Sequence, residues 1–199
     1  LHSDAGRPAL DYLHKRGLTD ETIQTFGLGY APASWDAARQ HFMALGFSQA
    51  EMLQAGLLSE SPDTGRVYDR FRNRVTFPIR DSRGRMTGFG ARILDPNDIP
   101  KFLNSPQTPL FDKGSLLYAL DLARKDIRGK DQAVIVEGYL DVIALHQAGF
   151  RNTVSPMGTA LSEAQLHLLK RLTRRIVLAL DADAAGEKAT LRGLEIARQ

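Results

Sequence analysis

Four acids carry the chemistry this chain can offer: Glu137 and Asp141 in the run Glu-Gly-Tyr-Leu-Asp, and Asp181 and Asp183 in the run Asp-Ala-Asp-Ala-Ala-Gly. Each pair follows a short apolar stretch, residues 134–136 and 176–180 respectively. Carboxylates gathered at one place repel one another unless a cation lies among them. Oxygen-only ligands suit Mg²⁺ or Mn²⁺, hard ions that keep several waters and bridge to phosphates. The chemistry expected here is therefore metal-assisted reaction at a phosphate. Taken singly, Asp181 and Asp183 read rather as caps of the following helix and Glu137 as a solvated strand end. Two strands that both end in acids, with glycines placed for close approach, favour the metal site.

The elements needed to position these acids are legible around them. Continuous apolar runs mark strands buried on both faces, which belong mostly to parallel sheets. Ligands of such sheets bind at the carboxyl ends of the strands, where all four acids fall. Asp181 and Asp183 are two apart and point the same way in extended backbone. After Glu137 a helical pattern runs to Gly149, a strand is expected over 152–155, and a small-residue turn over 157–160. Gly158 and Thr159 in that turn could approach phosphate, although a plain tight turn explains them as well. Ser162-x-x-Gln165 spells a capping box, Lys170, Arg171, Arg174 and Arg175 read as a solvated helix end, and Gly186 opens a last helix. The β-α-β-α-β-α order makes a parallel sheet with right-handed crossovers.

Upstream the pattern differs. Residues 4–56 read as small helices: Leu10 and Leu13 on one face, Thr19 capping a segment with Ile23 and Phe26, Ser34 opening another with Ala38, Phe42 and Leu45, and Ser48-x-x-Glu51 a capping box. Trp35, Phe42 and Met43 are expected in the core, and His14 and His41 lack metal-ligand spacing. Val75, Phe77 and Ile79 then alternate with Thr76, Pro78 and Arg80, residues 81–84 spell a turn, and 86–94 return as a second strand. Residues 66–92 hold eight arginines against Asp69 and Asp81, a local balance of +6 in a chain whose net charge is +3. Arginine grips phosphate through a planar fork, so this hairpin is expected to contact nucleic acid or nucleotide, with a merely solvated hairpin as the alternative. Gly88 and Gly90 would let another segment approach closely. Residues 95–114 read as a loop carrying Lys101 and Lys113, residues 115–126 as a helix, and a domain boundary is expected at 128/129.

The 199 residues, 43% hydrophobic, suffice for one large domain or two small ones. Without cysteine there is no disulfide and no Cys-based zinc site in this segment, which fits a cytoplasmic protein. No apolar run approaches the roughly 18 residues that a membrane span needs. The chain opens on leucine rather than methionine, which suggests a piece of a longer protein.

The acidic motifs resemble the TOPRIM module of bacterial primases, topoisomerases and some nucleases. Five upstream stretches, Tyr68-Asp-Arg-Phe-Arg-Asn-Arg74, Phe77-Pro-Ile-Arg-Asp81, Gly88-Phe-Gly-Ala-Arg92, Lys101-Phe-Leu-Asn-Ser-Pro106 and Phe111-Asp-Lys-Gly114, resemble the catalytic core of bacterial replicative primases of the DnaG type. The resemblance covers nearly the whole chain. It implies an α/β protein with an N-terminal α+β subdomain over 1–128, small helices plus a basic antiparallel hairpin, followed by a TOPRIM-type parallel-sheet subdomain over 129–199. It implies nucleotidyl transfer that makes short RNA primers on single-stranded DNA from ribonucleoside triphosphates. Glu137, Asp141, Asp181 and Asp183 would be catalytic and hold Mg²⁺ or Mn²⁺, with Glu137 either a ligand or a participant in proton transfer. Arg72, Arg74, Arg92, Lys101, Asn104 and Lys113 would hold template or triphosphate. The family's zinc-binding domain and downstream helical part are expected outside this segment, as is the region that meets the replicative helicase. A TOPRIM nuclease, a phage-style primase fused to a helicase, and a non-catalytic nucleic-acid-binding module remain as alternatives. A type IA topoisomerase would need a nucleophilic tyrosine, and none of the five tyrosines has a context that suggests one.

Overall fold

The computed structural model describes residues 1–157 and 161–181. Asp183, the helix expected from Gly186, and Gly158 and Thr159 of the expected turn lie outside the described residues. The chain divides into two compact units: Leu1–Pro78 with Thr87–Phe111, and Ile79–Met86 with the chain from Asp112 onward.

The first unit begins with α1 (Arg7–Lys15), α2 (Asp20–Phe26), β1 (Gly29–Ala31), α3 (Ala37–Ala44), α4 (Gln49–Gln54), β2 (Leu58–Glu60) and β3 (Val67–Asp69). The helix starts follow their local spellings: Thr19 accepts from the Thr22 amide, and Ser48 and Glu51 form the reciprocal box. Leu13, Ile23 and Phe26 are buried as their spacing predicts. The third helix departs from expectation. It buries no residue, and Trp35 and Met43 are each 54% exposed, so neither belongs to the core. A helix held at its N-terminus by polar contacts does not need an apolar face to stay in place.

The basic hairpin is β4 (Arg74–Arg80) and β5 (Met86–Ile93), and β6 (Phe102–Asn104) extends it inside the stretch expected to be loop. Their sheet has the order β1-β4-β5-β6, with Tyr30 opposite Val75 and Ala91 opposite Leu103. Val75, Phe77 and Ile79 are fully buried, as the alternation requires. The 81–84 turn closes through the Gly84 amide on the Asp81 carbonyl at 2.9 Å. What approaches Gly88 is the chain's own 105–111 segment: an added Cβ would lie 2.7 Å from Ser105 Oγ and 2.9 Å from Phe111. That contact lets Phe89 and Ser105 exchange hydrogen bonds at 2.8 and 2.9 Å and seats β6.

The second unit holds α5 (Leu120–Lys130), β7 (Ala133–Ile135), α6 (Tyr139–Gln147), β8 (Thr153–Val154), α7 (Glu163–Lys170) and β9 (Ile176–Leu178). The strands form a parallel sheet in the order β8-β7-β9. Leu117, Leu120, Ala123 and Ile127 pack with Ile135, Val154, Leu161 and Leu169 into one core. The α/β class is as expected. The helix start is not, because 115–119 was expected to be helical and α5 begins only at Leu120. Tyr118 instead bridges antiparallel to Ser155, and the Leu116 carbonyl is taken by Gln165. Both tertiary bonds use backbone groups that a helix would need.

On α6, His146 is 8% exposed and its Nε2–H donates to the Thr153 carbonyl at 2.8 Å. Burial is the main cause that lowers its pKa below the usual 6.5. The unfolded chain then takes up the proton first. Stability from this residue is complete above about pH 6.5 and falls as pH drops from there toward the depressed folded value. Denaturant midpoints at pH 7.5 and 5.5 should differ more in the native protein than in His146→Gln. Equal differences in the two proteins would show that His146 is not responsible.

Among the described residues, no helix is long and apolar enough to cross a membrane.

Candidate functional site

The acidic edge is built by strand register. Ile135 pairs with Leu178, and the Ala179 amide donates to the Ile135 carbonyl at 2.8 Å, so β7 and β9 end side by side. Glu137 follows two residues after Ile135, and its Oε1 accepts the Asp181 amide at 3.1 Å. From the end of β8, Ser155 Oγ donates to the Glu137 carbonyl at 2.6 Å. Asp141 lies in the first turn of α6, and its Oδ2 accepts the Gly138 amide at 3.0 Å. A Cβ at Gly138 would lie 2.9 Å from that same oxygen, which explains the glycine of the Glu-Gly-Tyr-Leu-Asp run.

Glu137, Asp141 and Asp181 thus all fall at the carboxyl ends of the strands, the position expected of them. Among the described residues no group of three or more His, Asp or Glu is gathered closely enough to hold a metal ion. The reason is visible in the bonds: Asp141 turns back onto Gly138 and Glu137 onto the Asp181 backbone. Asp183 lies outside the described residues. As a donor set the acids fit a hard divalent cation, since every side chain offers carboxylate oxygen and none offers nitrogen or sulfur.

The basic residues of the first unit are mounted on aromatic rings. The Arg72 guanidinium lies 4.0 Å from the Trp35 ring centre and 5.0 Å from that of Tyr68, and it donates to the Asp69 carbonyl. Arg92 lies between Tyr12 at 5.7 Å and Phe102 at 5.0 Å, and the Lys101 ammonium is 5.7 Å from the Phe102 ring. Arg16 joins this row through Tyr12, with its Nε donating to the phenol oxygen at 3.2 Å. Cation–π contact fixes a guanidinium without neutralising it, so its charge stays available to an anion. Sequence reading missed Tyr12, Arg16 and Phe102, because their spacing in the chain carries no trace of this row.

One expected basic-face residue has other work. Arg74 is only 4% exposed and its Nη1 donates to the Pro100 carbonyl at 2.6 Å, which ties β4 to the 95–100 loop. The Asn104 carbonyl accepts both Nε and Nη2 of Arg70, at 3.1 and 2.8 Å. In the second unit, Lys113 is partly buried, and this desolvation pushes its ammonium pKa below the usual lysine value.

Residues 1–124 match the family described as the N-terminal domain of the DNA primase catalytic core, and residues 131–199 match the Toprim domain. The chain is 55% identical over 189 residues to the DNA primase of Deinococcus radiodurans, covering 94% of this chain and 33% of that one. It therefore spans about a third of the length of that curated relative. Among solved structures, the RNA polymerase domain of Mycobacterium tuberculosis primase DnaG aligns with a TM-score of 0.90 at 38% identity, over 98% of this chain and 65% of that one. A DnaG primase catalytic domain bound to single-stranded DNA aligns with a TM-score of 0.89 at 42% identity, over 99% and 61% of the two chains. Motif order, the parallel sheet with acids at its carboxyl edge and these likenesses agree: the chain belongs to the DNA primase catalytic core family, with a Toprim domain following the family's N-terminal domain.

Proposed function

We propose that this chain is the template- and nucleotide-engaging core of a cytoplasmic primase that starts short RNA chains on single-stranded DNA. The reaction is attack of a primer 3′-hydroxyl on the α-phosphate of a ribonucleoside triphosphate, with pyrophosphate leaving. The observation that carries this reading is the junction of β7 and β9, where Glu137 accepts the Asp181 amide at 3.1 Å on a chain of primase descent. It joins the two acidic motifs at one edge.

The Toprim family uses divalent metal in general, and Mg²⁺ or Mn²⁺ is the ion proposed here, held by Asp181 and Asp183 with Asp141 and Glu137 contributing. When bound, such an ion lowers the pKa of a hydroxyl and offsets charge on phosphate oxygens. Glu137, if not a ligand, accepts the proton of the attacking hydroxyl. Arg72, Arg92 and Lys101 hold phosphates by charge rather than by reading bases. Lys113 binds the triphosphate. Asn104 contacts template or triphosphate, and Arg74 acts by fixing the loop beside it. A replicative helicase is the partner proposed for the region beyond this segment.

The test is primer synthesis by the full-length protein on labelled single-stranded DNA with ribonucleotides and Mg²⁺ or Mn²⁺, beside Asp181→Asn. Short RNA products that disappear in the variant support the proposal. Shortened DNA would make the protein a nuclease. Binding with neither product, identical in the variant, would leave a binding module.

A further inference from the structure

The first turn of α7 grips the segment that carries Lys113. Gln165 is fully buried, and its amide nitrogen donates to the Lys113 carbonyl at 3.1 Å and the Leu116 carbonyl at 2.7 Å. Its Oε1 accepts the Ser162 amide at 3.0 Å. Ser162 Oγ in turn accepts the Gln165 amide at 3.1 Å and donates to the Gly114 carbonyl at 2.5 Å. A capping box needs only the glutamine oxygen and the serine acceptor. The three bonds to carbonyls 113, 114 and 116 are additional, and all leave the helix for the same segment. A buried amide with both N–H groups and its oxygen partnered has one favoured geometry, because any other arrangement strands a polar group.

That segment is tied to the residue that follows β8. Tyr118 and Ser155 form an antiparallel bridge, with the Tyr118 amide on the Ser155 carbonyl at 2.8 Å. Ser155 also holds the Glu137 carbonyl at 2.6 Å, so one residue ties both the Lys113 segment and the acidic motif. Within the segment, Asp112 Oδ1 accepts the Gly114 amide at 3.0 Å, closing the 3-10 turn that Lys113 begins. The backbone around Lys113 is thus held from both sides.

We infer that Gln165 and Ser162 are positioning residues: they fix the backbone of Lys113 so that its ammonium is set in advance for the triphosphate of the incoming nucleotide. The inference rests on the assignment of Lys113 to triphosphate binding. A lysine stem loses rotamer freedom when it is ordered, and holding its backbone in place confines that loss to the stem.

The experiment is a double-mutant cycle in the full-length protein, with KM and kcat for ribonucleotides measured in primer synthesis. Lys113→Ala should raise KM about tenfold or more, as expected for a charge-assisted contact. Gln165→Met, which keeps the volume and removes the bonds, should raise KM about threefold to tenfold with kcat little changed. In the Lys113→Ala background, Gln165→Met should raise KM no further, because a positioning residue acts only through the group it positions. Ser162→Asp keeps a good N-cap but loses the donor to Gly114, and should behave in the same way. An equal KM rise with and without Lys113, or a fall in kcat alone, would overturn the positioning role. An unchanged KM in Lys113→Ala would remove the lysine's assignment and this inference with it, while the Asp181→Asn result would still decide the primase reading separately.

Discussion

In the full-length protein, Glu137→Gln is expected to lower primer synthesis by about 10²- to 10⁴-fold, the range of a lost acid–base or charge contribution, while leaving thermal unfolding unchanged. The substitution separates the fastening that the structure shows from the catalytic role proposed for the same side chain. Glu137 Oε1 accepts the Asp181 amide at 3.1 Å, which fastens the end of β9 to the end of β7. Glutamine also presents an Oε1, so that fastening survives, and only the charge is lost. Glu137→Ala removes both and should add a loss of stability of about 1 kcal/mol, the usual value of one net hydrogen bond, to the loss of activity. Full activity in Glu137→Gln with impaired activity in Glu137→Ala would make Glu137 a fastening residue alone. The chemistry would then belong to the aspartates.

How much of this could be read from the chain beforehand depends on the range of the interactions involved. Thr19, Ser48 and Ser162 mark helix starts because each bond spans only three residues, and spacing records it. The apolar runs ending at Glu137 and near Asp181 were likewise legible, since a strand buried on both faces has no alternation to show. The start of α5 was not legible. Leu116 and Leu117 share a helical spacing with Leu120, but Tyr118 pairs with Ser155 and Leu116 with Gln165, partners 37 and 49 residues away. Trp35 reads as core by its type and lies open under Arg72, 37 positions further along. Arg74 and Arg92 look alike in a list of arginines, yet one is buried on Pro100 and the other rests between two rings. Residue type told which side chains could bind phosphate, and only tertiary contacts told which remain presented for it.

Asp69→Ala is expected to destabilise the protein by about 3 kcal/mol, because it removes two charge-assisted hydrogen bonds from a buried acceptor. Asp69 is 3% exposed at the end of β3, and its two oxygens accept the Ala38 amide at 2.7 Å and the Arg39 amide at 3.0 Å. These are unsatisfied donors of the first turn of α3, whose own cap residue, Asp36, makes no capping bond. A carboxylate from another strand therefore does the work of an N-cap, and its charge also suits the positive end of the helix. Because α3 buries no residue, this polar attachment is the main thing that seats it. Asp36→Ala is the comparison: it loses the contact to Gln40 at 2.8 Å, the ion pair with Arg39 at 3.6 Å and the bond from Ser34 Oγ at 3.2 Å, and should cost about 1 kcal/mol, well short of Asp69→Ala. Chemical unfolding of the two variants compares the residue at the cap position, which makes no capping bond, with the carboxylate 31 residues away that does. A larger loss in Asp36→Ala than in Asp69→Ala would reverse this account of α3. With the expected order, the aspartate of the Tyr-Asp-Arg-Phe-Arg run acts as a fastening for α3, while Arg72, which donates to the Asp69 carbonyl, carries its guanidinium to the face of Trp35.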